Sequence, residues 1–122
     1  MFERLKRAAR RFGEADHDRR AESIKDWATH QAECTLIREV APRSRARVAG
    51  AVERLRVRPR QGGQAFEADI VDGTGTVTAV WTGRRTIPGM VIGARVVIEG
   101  RFGGEGHLQV LNPTYEFTSS EH

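Results

Sequence analysis

Arg47-Val48-Ala49-Gly50-Ala51-Val52-Glu53-Arg54-Leu55-Arg56-Val57-Arg58 is the stretch that decides the fold. In its first half Val48, Gly50 and Val52 share one parity, while Arg47, Ala49, Ala51 and Glu53 hold the other. In its second half Leu55 and Val57 alternate with Arg54, Arg56 and Arg58. Period-two alternation marks a half-buried strand. The apolar parity flips at Glu53-Arg54, and one extra residue there would keep both halves facing inward. That reads as a β-bulge, which bends a long strand and lets it serve both sides of a closed sheet. Under this single assumption Arg43, Arg45, Arg47, Arg54, Arg56 and Arg58 all point outward, with Arg60 in the adjoining loop.

Short period-two segments punctuated by glycine follow. Pro59 to Gln64 reads as a flexible hairpin loop. A second strand places Phe66, Ala68 and Ile70 inward and Glu67, Asp69 and Val71 outward. Asp72-Gly73-Thr74-Gly75 is a tight turn, since an Asx side chain and glycines at positive φ are what such turns need. A third strand, Thr76 to Trp81, has Val77, Ala79 and Trp81 inward and Thr76, Thr78 and Val80 outside, with Thr78 expected to tolerate a charge. The connector from Gly83 to Gly93 reads as a loop. Val96, Ile98, Gly100 and Phe102 mark a fourth strand, Gly103-Gly104-Glu105-Gly106 a hairpin loop, and His107 to Leu111 a fifth strand ended by Asn112-Pro113. Five strands with a long bent first one predict a mainly β, five-stranded Greek-key OB-fold barrel; an SH3-like barrel is the runner-up.

Upstream, the first 40 residues hold one Gly and no Pro. Phe2, Leu5, Ala9 and Phe12 recur at helical spacing opposite Lys6, Arg7, Arg10 and Arg11, a short basic amphipathic arm that Gly13 would stop. A second helix would start with Asp16 or Asp18 as N-cap, run through Ala21, Ile24, Trp27, Ala28 and Gln31, and end before Cys34. The chain therefore divides into an N-terminal helical arm (1–42), an autonomous OB-fold domain (43–118) and a disordered tail (119–122).

Of the 122 residues, 20 are Lys or Arg and 16 Asp or Glu. The clustering matters more than the total. Residues 43–60 carry seven basic groups and one acid, whereas residues 61–122 carry four basic and seven acidic ones. A local basic stripe is the electrostatic footprint of a phosphate-backbone binder. A single cysteine, Cys34, excludes an intrachain disulfide framework and points to a reducing cytoplasm. No apolar run is long enough to span a membrane.

The run Val48 to Val52, Asp72-Gly73-Thr74-Gly75 before Val77 and Trp81, Gly93 to Gly100, and Asn112-Pro113-Thr114-Tyr115-Glu116 resemble the OB domain that forms the wedge of RecG-type helicases. They also resemble stand-alone actinobacterial OB-fold proteins. The likeness covers roughly residues 44–117. It implies a barrel that binds nucleic acid, branched DNA in the helicase. Where the helicase wedge places an aromatic after the third-strand hydrophobics, this chain has Thr82. The chain has no Gly-x-x-x-x-Gly-Lys-Ser/Thr phosphate loop, so the helicase motor is absent.

The candidate site is therefore Arg43, Arg45, Arg47, Arg54, Arg56, Arg58 and Arg60 with Arg84, Arg85 and the Gly103 to Gly106 loop. Its ligand would be single-stranded or branched nucleic acid held by charge, because the outward positions of strands two and three are neither basic nor aromatic. The competing reading is a protein-interaction module using the N-terminal helices and the acidic face of strand two; a third makes the basic helix a membrane-surface anchor. His17, His30, His107 and His122 are scattered, so no metal site, cofactor or catalytic constellation is expected. Trp81 and Phe66 are assigned to the core.

Overall fold

Val52 pairs with Ile70 and Arg54 with Asp69, so Glu53 has no partner on the neighbouring strand. This is the bulge that the parity flip requires. A computed structural model describes residues 19–118, and the basic arm of residues 2–12, the N-cap at Asp16 or Asp18 and the tail 119–122 lie outside the described residues. Six strands follow in order: β1 (Ser44–Arg60), β2 (Gly63–Val71), β3 (Thr76–Thr82), β4 (Arg95–Gly103), β5 (Gln109–Leu111) and β6 (Thr114–Phe117). The first half of β1 pairs antiparallel with β4 and the second half with β2. β2 pairs with β3, β3 runs parallel to β5, and β5 pairs with β4. Five strands thereby close into a ring, and β6 extends it along β4.

The bend is possible because of Gly50. A Cβ at that position would lie 2.6 Å from both the Ile70 side chain and the Val71 carbonyl oxygen, where β1 crosses from one partner to the other. Inside the ring, Val48, Val52, Phe66, Ile70, Val77, Ala79, Trp81, Val96, Ile98, Phe102 and Val110 form one core, with the inward parities read from the sequence. Ile87 and Met90 of the β3–β4 connector complete that core from one end, which is why this loop is ordered without a helix.

Three local expectations are corrected. The Pro59–Gln64 segment is no open loop: β1 runs on to Arg60, Gln61-Gly62 makes a two-residue turn with Gly62 at φ 74°, and β2 begins at Gly63. The fifth strand is shorter than His107 to Leu111: it spans Gln109–Leu111, preceded by a bend at 105–107, while the Leu108 carbonyl accepts from the Thr78 amide and His107 Nε2 lies 2.6 Å from Thr78 Oγ. A strand also forms after Pro113, where Tyr115 packs edge-on against Trp81 with ring centroids 5.8 Å apart.

Residues 19–29 are helical (α1), and the helix stops at His30, short of the expected Gln31, whose amide closes a tighter turn on the Ala28 carbonyl. Ala28 packs on Ala49 and Val97, which are outward residues of β1 and β4, and the Arg95 guanidinium lies 4.9 Å from the centre of the Trp27 ring. The helix therefore lies on the outside of the sheet. A 3-10 turn (Ile37–Glu39) follows, and buried Ile37 joins the main core. Asp72 fastens it. One carboxylate oxygen accepts from the Thr74 amide, the Thr74 hydroxyl and the Gly75 amide, and the other accepts from the Ile37 amide at 2.7 Å. This assigns Asp72 a structural role and carries core contacts across the expected boundary at residues 42 and 43.

Candidate functional site

The arginines of β1 owe their surroundings to the strand each one faces. Arg54, Arg56 and Arg58 project from the second half, opposite Asp69, Glu67 and Ala65 of β2. Arg56 donates from Nε to Glu67 at 2.8 Å and from both terminal nitrogens to the two Asp69 oxygens at 3.0 Å. Bidentate pairing of this kind fixes both partners. Arg58 Nε lies 3.3 Å from the same Glu67 oxygen but keeps 61% of its side chain exposed. Arg56 meets Glu67 directly across the ladder, whereas Arg56–Asp69 and Arg58–Glu67 run diagonally, as sheet twist favours. The acidic row of β2 stops at Asp69, with Val71 next on that face, so Arg54 makes no ion pair among the described residues and is exposed.

The pairing changes the chemistry of the β2–β3 face. Thr78 Oγ donates to Asp69 at 2.7 Å and lies 2.6 Å from His107 Nε2; with the hydroxyl proton committed to Asp69, the imidazole is the donor in that second contact. Burial alone would raise the Asp69 pKa, but hydrogen bonds from Arg56 and Thr78 and the positive charge of Arg56 outweigh it and hold the carboxyl below its usual range. The hydrogen bond to Asp69 likewise raises the Arg56 pKa. Thr78 is thus buried inside a polar network. An aspartate there would be buried against the Asp69 carboxylate, so the expected tolerance of Thr78 to a negative charge is corrected. The acidic face is largely neutralised from within.

On the first half of β1, Arg47 is partly buried and lies near Glu116 (3.5 Å) and Glu99 (3.9 Å). Arg45 is exposed and stands directly opposite Arg101 of β4, a residue the sequence reading left out. Arg43 is exposed immediately before β1 with φ 59°. Arg60 ends β1 at the two-residue turn, and Arg84 and Arg85 leave the end of β3 beside it, where the Gly83 amide donates to the Gln64 carbonyl at 2.8 Å. The structure therefore separates the predicted set. Arg58, Arg60, Arg84 and Arg85 stand around the β1–β2 turn, Arg54 lies on the same half of β1 beside the bulge, and Arg45 and Arg47 lie on the other half with Arg43 just before it.

Among the described residues no group of three or more His, Cys, Asp or Glu is placed to hold a metal ion, and no helix is long and apolar enough to cross a membrane. Burial raises the Cys34 pKa despite nearby Arg47, which keeps that thiol in its weakly nucleophilic form. No protein-family model and no curated protein matches this sequence.

Proposed function

We propose that this chain is a non-catalytic, cytoplasmic nucleic-acid-binding protein built on a five-stranded Greek-key OB-fold barrel. It binds single-stranded or branched DNA, or RNA, mainly through backbone phosphates. A closed ring of five strands whose bent first strand is shared by two partners supports the fold reading. The observation that carries the functional reading is the set of arginines on the second half of β1 and around the β1–β2 turn that carboxylates of the described residues leave largely unneutralised. Arg54, Arg60, Arg84 and Arg85 make no ion pair among the described residues, and Arg58 shares a single one while remaining mostly exposed. Extended strand geometry spaces Arg58 and Arg60 about 7 Å apart, close to the phosphate spacing of an extended single strand, and sets Arg54 about 13 Å from Arg58.

The competing protein-interaction reading draws on the acidic face of β2, and that face has lost most of its charge to Arg56 and Arg58. Fluorescence anisotropy of a labelled oligonucleotide across a salt series tests the proposal. Binding at low salt that weakens steadily as salt rises, with little sequence preference, is the expected result. No binding at the lowest salt, with the protein folded, would sink it.

A further inference from the structure

Arg45 and Arg101 are directly opposite each other on antiparallel β1 and β4, both exposed and both on the outer face of the ring. Residues in such register have Cβ atoms about 4.5–5.5 Å apart, and like charges so placed destabilise a sheet. The acids nearby do not relieve this pair. Glu99, next on the same face of β4, and Glu116 of β6 both lie against Arg47. Farther along, the outer face is covered where Ala49 and Val97 meet Ala28 of α1, so the two arginines occupy its open end.

We propose that Arg45 and Arg101 form a phosphate clamp, a second anion site separate from the arginines of the β1–β2 turn. Two guanidinium forks carried on facing positions of a rigid ladder can both reach the oxygens of one phosphate or phosphodiester group, and the bound anion cancels the repulsion that the empty pair carries. The clamp deepens the nucleic-acid reading when its phosphate belongs to a backbone. Its response to a free phosphate does not depend on that reading.

The test combines thermal melting with oligonucleotide binding, using wild type, Arg101→Ala and Arg101→Glu in the full chain. Without anion, Arg101→Ala should melt no lower than wild type, and Arg101→Glu should melt higher, because it converts a repulsive cross-strand pair into an attractive one. Millimolar pyrophosphate should raise the wild-type Tm above that in potassium chloride of equal ionic strength, and both variants should lose this rise. A lower Tm for Arg101→Ala without anion, or an undiminished pyrophosphate response in either variant, would overturn the clamp. For oligothymidylate, Arg45→Ala with Arg101→Ala should make the slope of log affinity against log salt shallower by about 0.7, the share of one phosphate. If the pyrophosphate response is lost but that slope is unchanged, the clamp serves free phosphate compounds. If wild type binds no oligonucleotide yet responds to pyrophosphate through Arg101, the nucleic-acid proposal fails and the clamp stands.

Discussion

The two halves of β1 carry the same residue type at the same alternate positions, yet they handle its charge differently. Beyond the bulge, Arg56 is locked between Glu67 and Asp69 because β2 offers carboxylates on its outward face. Before the bulge, Arg45 meets Arg101 because β4 offers arginine at the matching register. The lesson is that an arginine stripe is not a uniform surface. The partner strand decides which guanidinium groups hold the sheet together and which remain for a ligand.

The largest effect should come from the pivot between the halves. Val52→Asp places an unpaired carboxylate in the core beside the bulge and should cost more than about 4 kcal/mol, leaving no cooperative thermal transition; a folded variant would mean that β1 does not bend there. Next comes the locked half. Arg56→Ala strands Glu67 and Asp69, whose side chains are only 12% and 15% exposed, and should cost about 1–3 kcal/mol in urea melts. An unchanged midpoint would erase the contrast between the halves.

Acid should sharpen the same contrast. Because Asp69 has a lowered pKa in the folded chain, its contribution is fully present above the unfolded carboxylate value near about 4 and is lost as pH falls through the lower folded value. Urea midpoints of wild type should therefore drop more steeply below that pH than those of Asp69→Asn; parallel curves would contradict the assignment. The smallest effect belongs to the other half. Arg45→Ala should leave stability unchanged or raise it by a few tenths of a kcal/mol by ending the opposition to Arg101, and a clear loss would show that Arg45 has a stabilising partner.

Much of this was legible in local pattern. The parity flip located the bulge at Glu53, the alternation gave most of the core of β1 to β4, though Val80, expected outside, is buried and Val57, expected inside, is exposed, and the Asp72 context marked a turn, because each depends on residues close in sequence. Register was not legible. The outward parity of Arg101 follows from Val96, Ile98, Gly100 and Phe102, but its opposition to Arg45 requires knowing how β4 slides against β1. The same is true of the diagonal pairing of Arg56 with Asp69, and of the Ile37 amide reaching Asp72 across 35 residues. The missed β6 had a usable signal in Thr114-Tyr115-Glu116-Phe117, where apolar rings alternate with polar residues.

The division of β1 into neutralised and available arginines is tested most directly by the salt dependence of oligonucleotide binding in two variants, each first shown to be folded. Wild type should give a slope of log affinity against log salt of roughly −2 to −3. Arg54→Ala with Arg58→Ala and Arg60→Ala should flatten that slope markedly, whereas Arg56→Ala should leave it nearly unchanged, since its charge is already committed to Glu67 and Asp69. A slope lost in Arg56→Ala and retained in the triple variant would contradict the account.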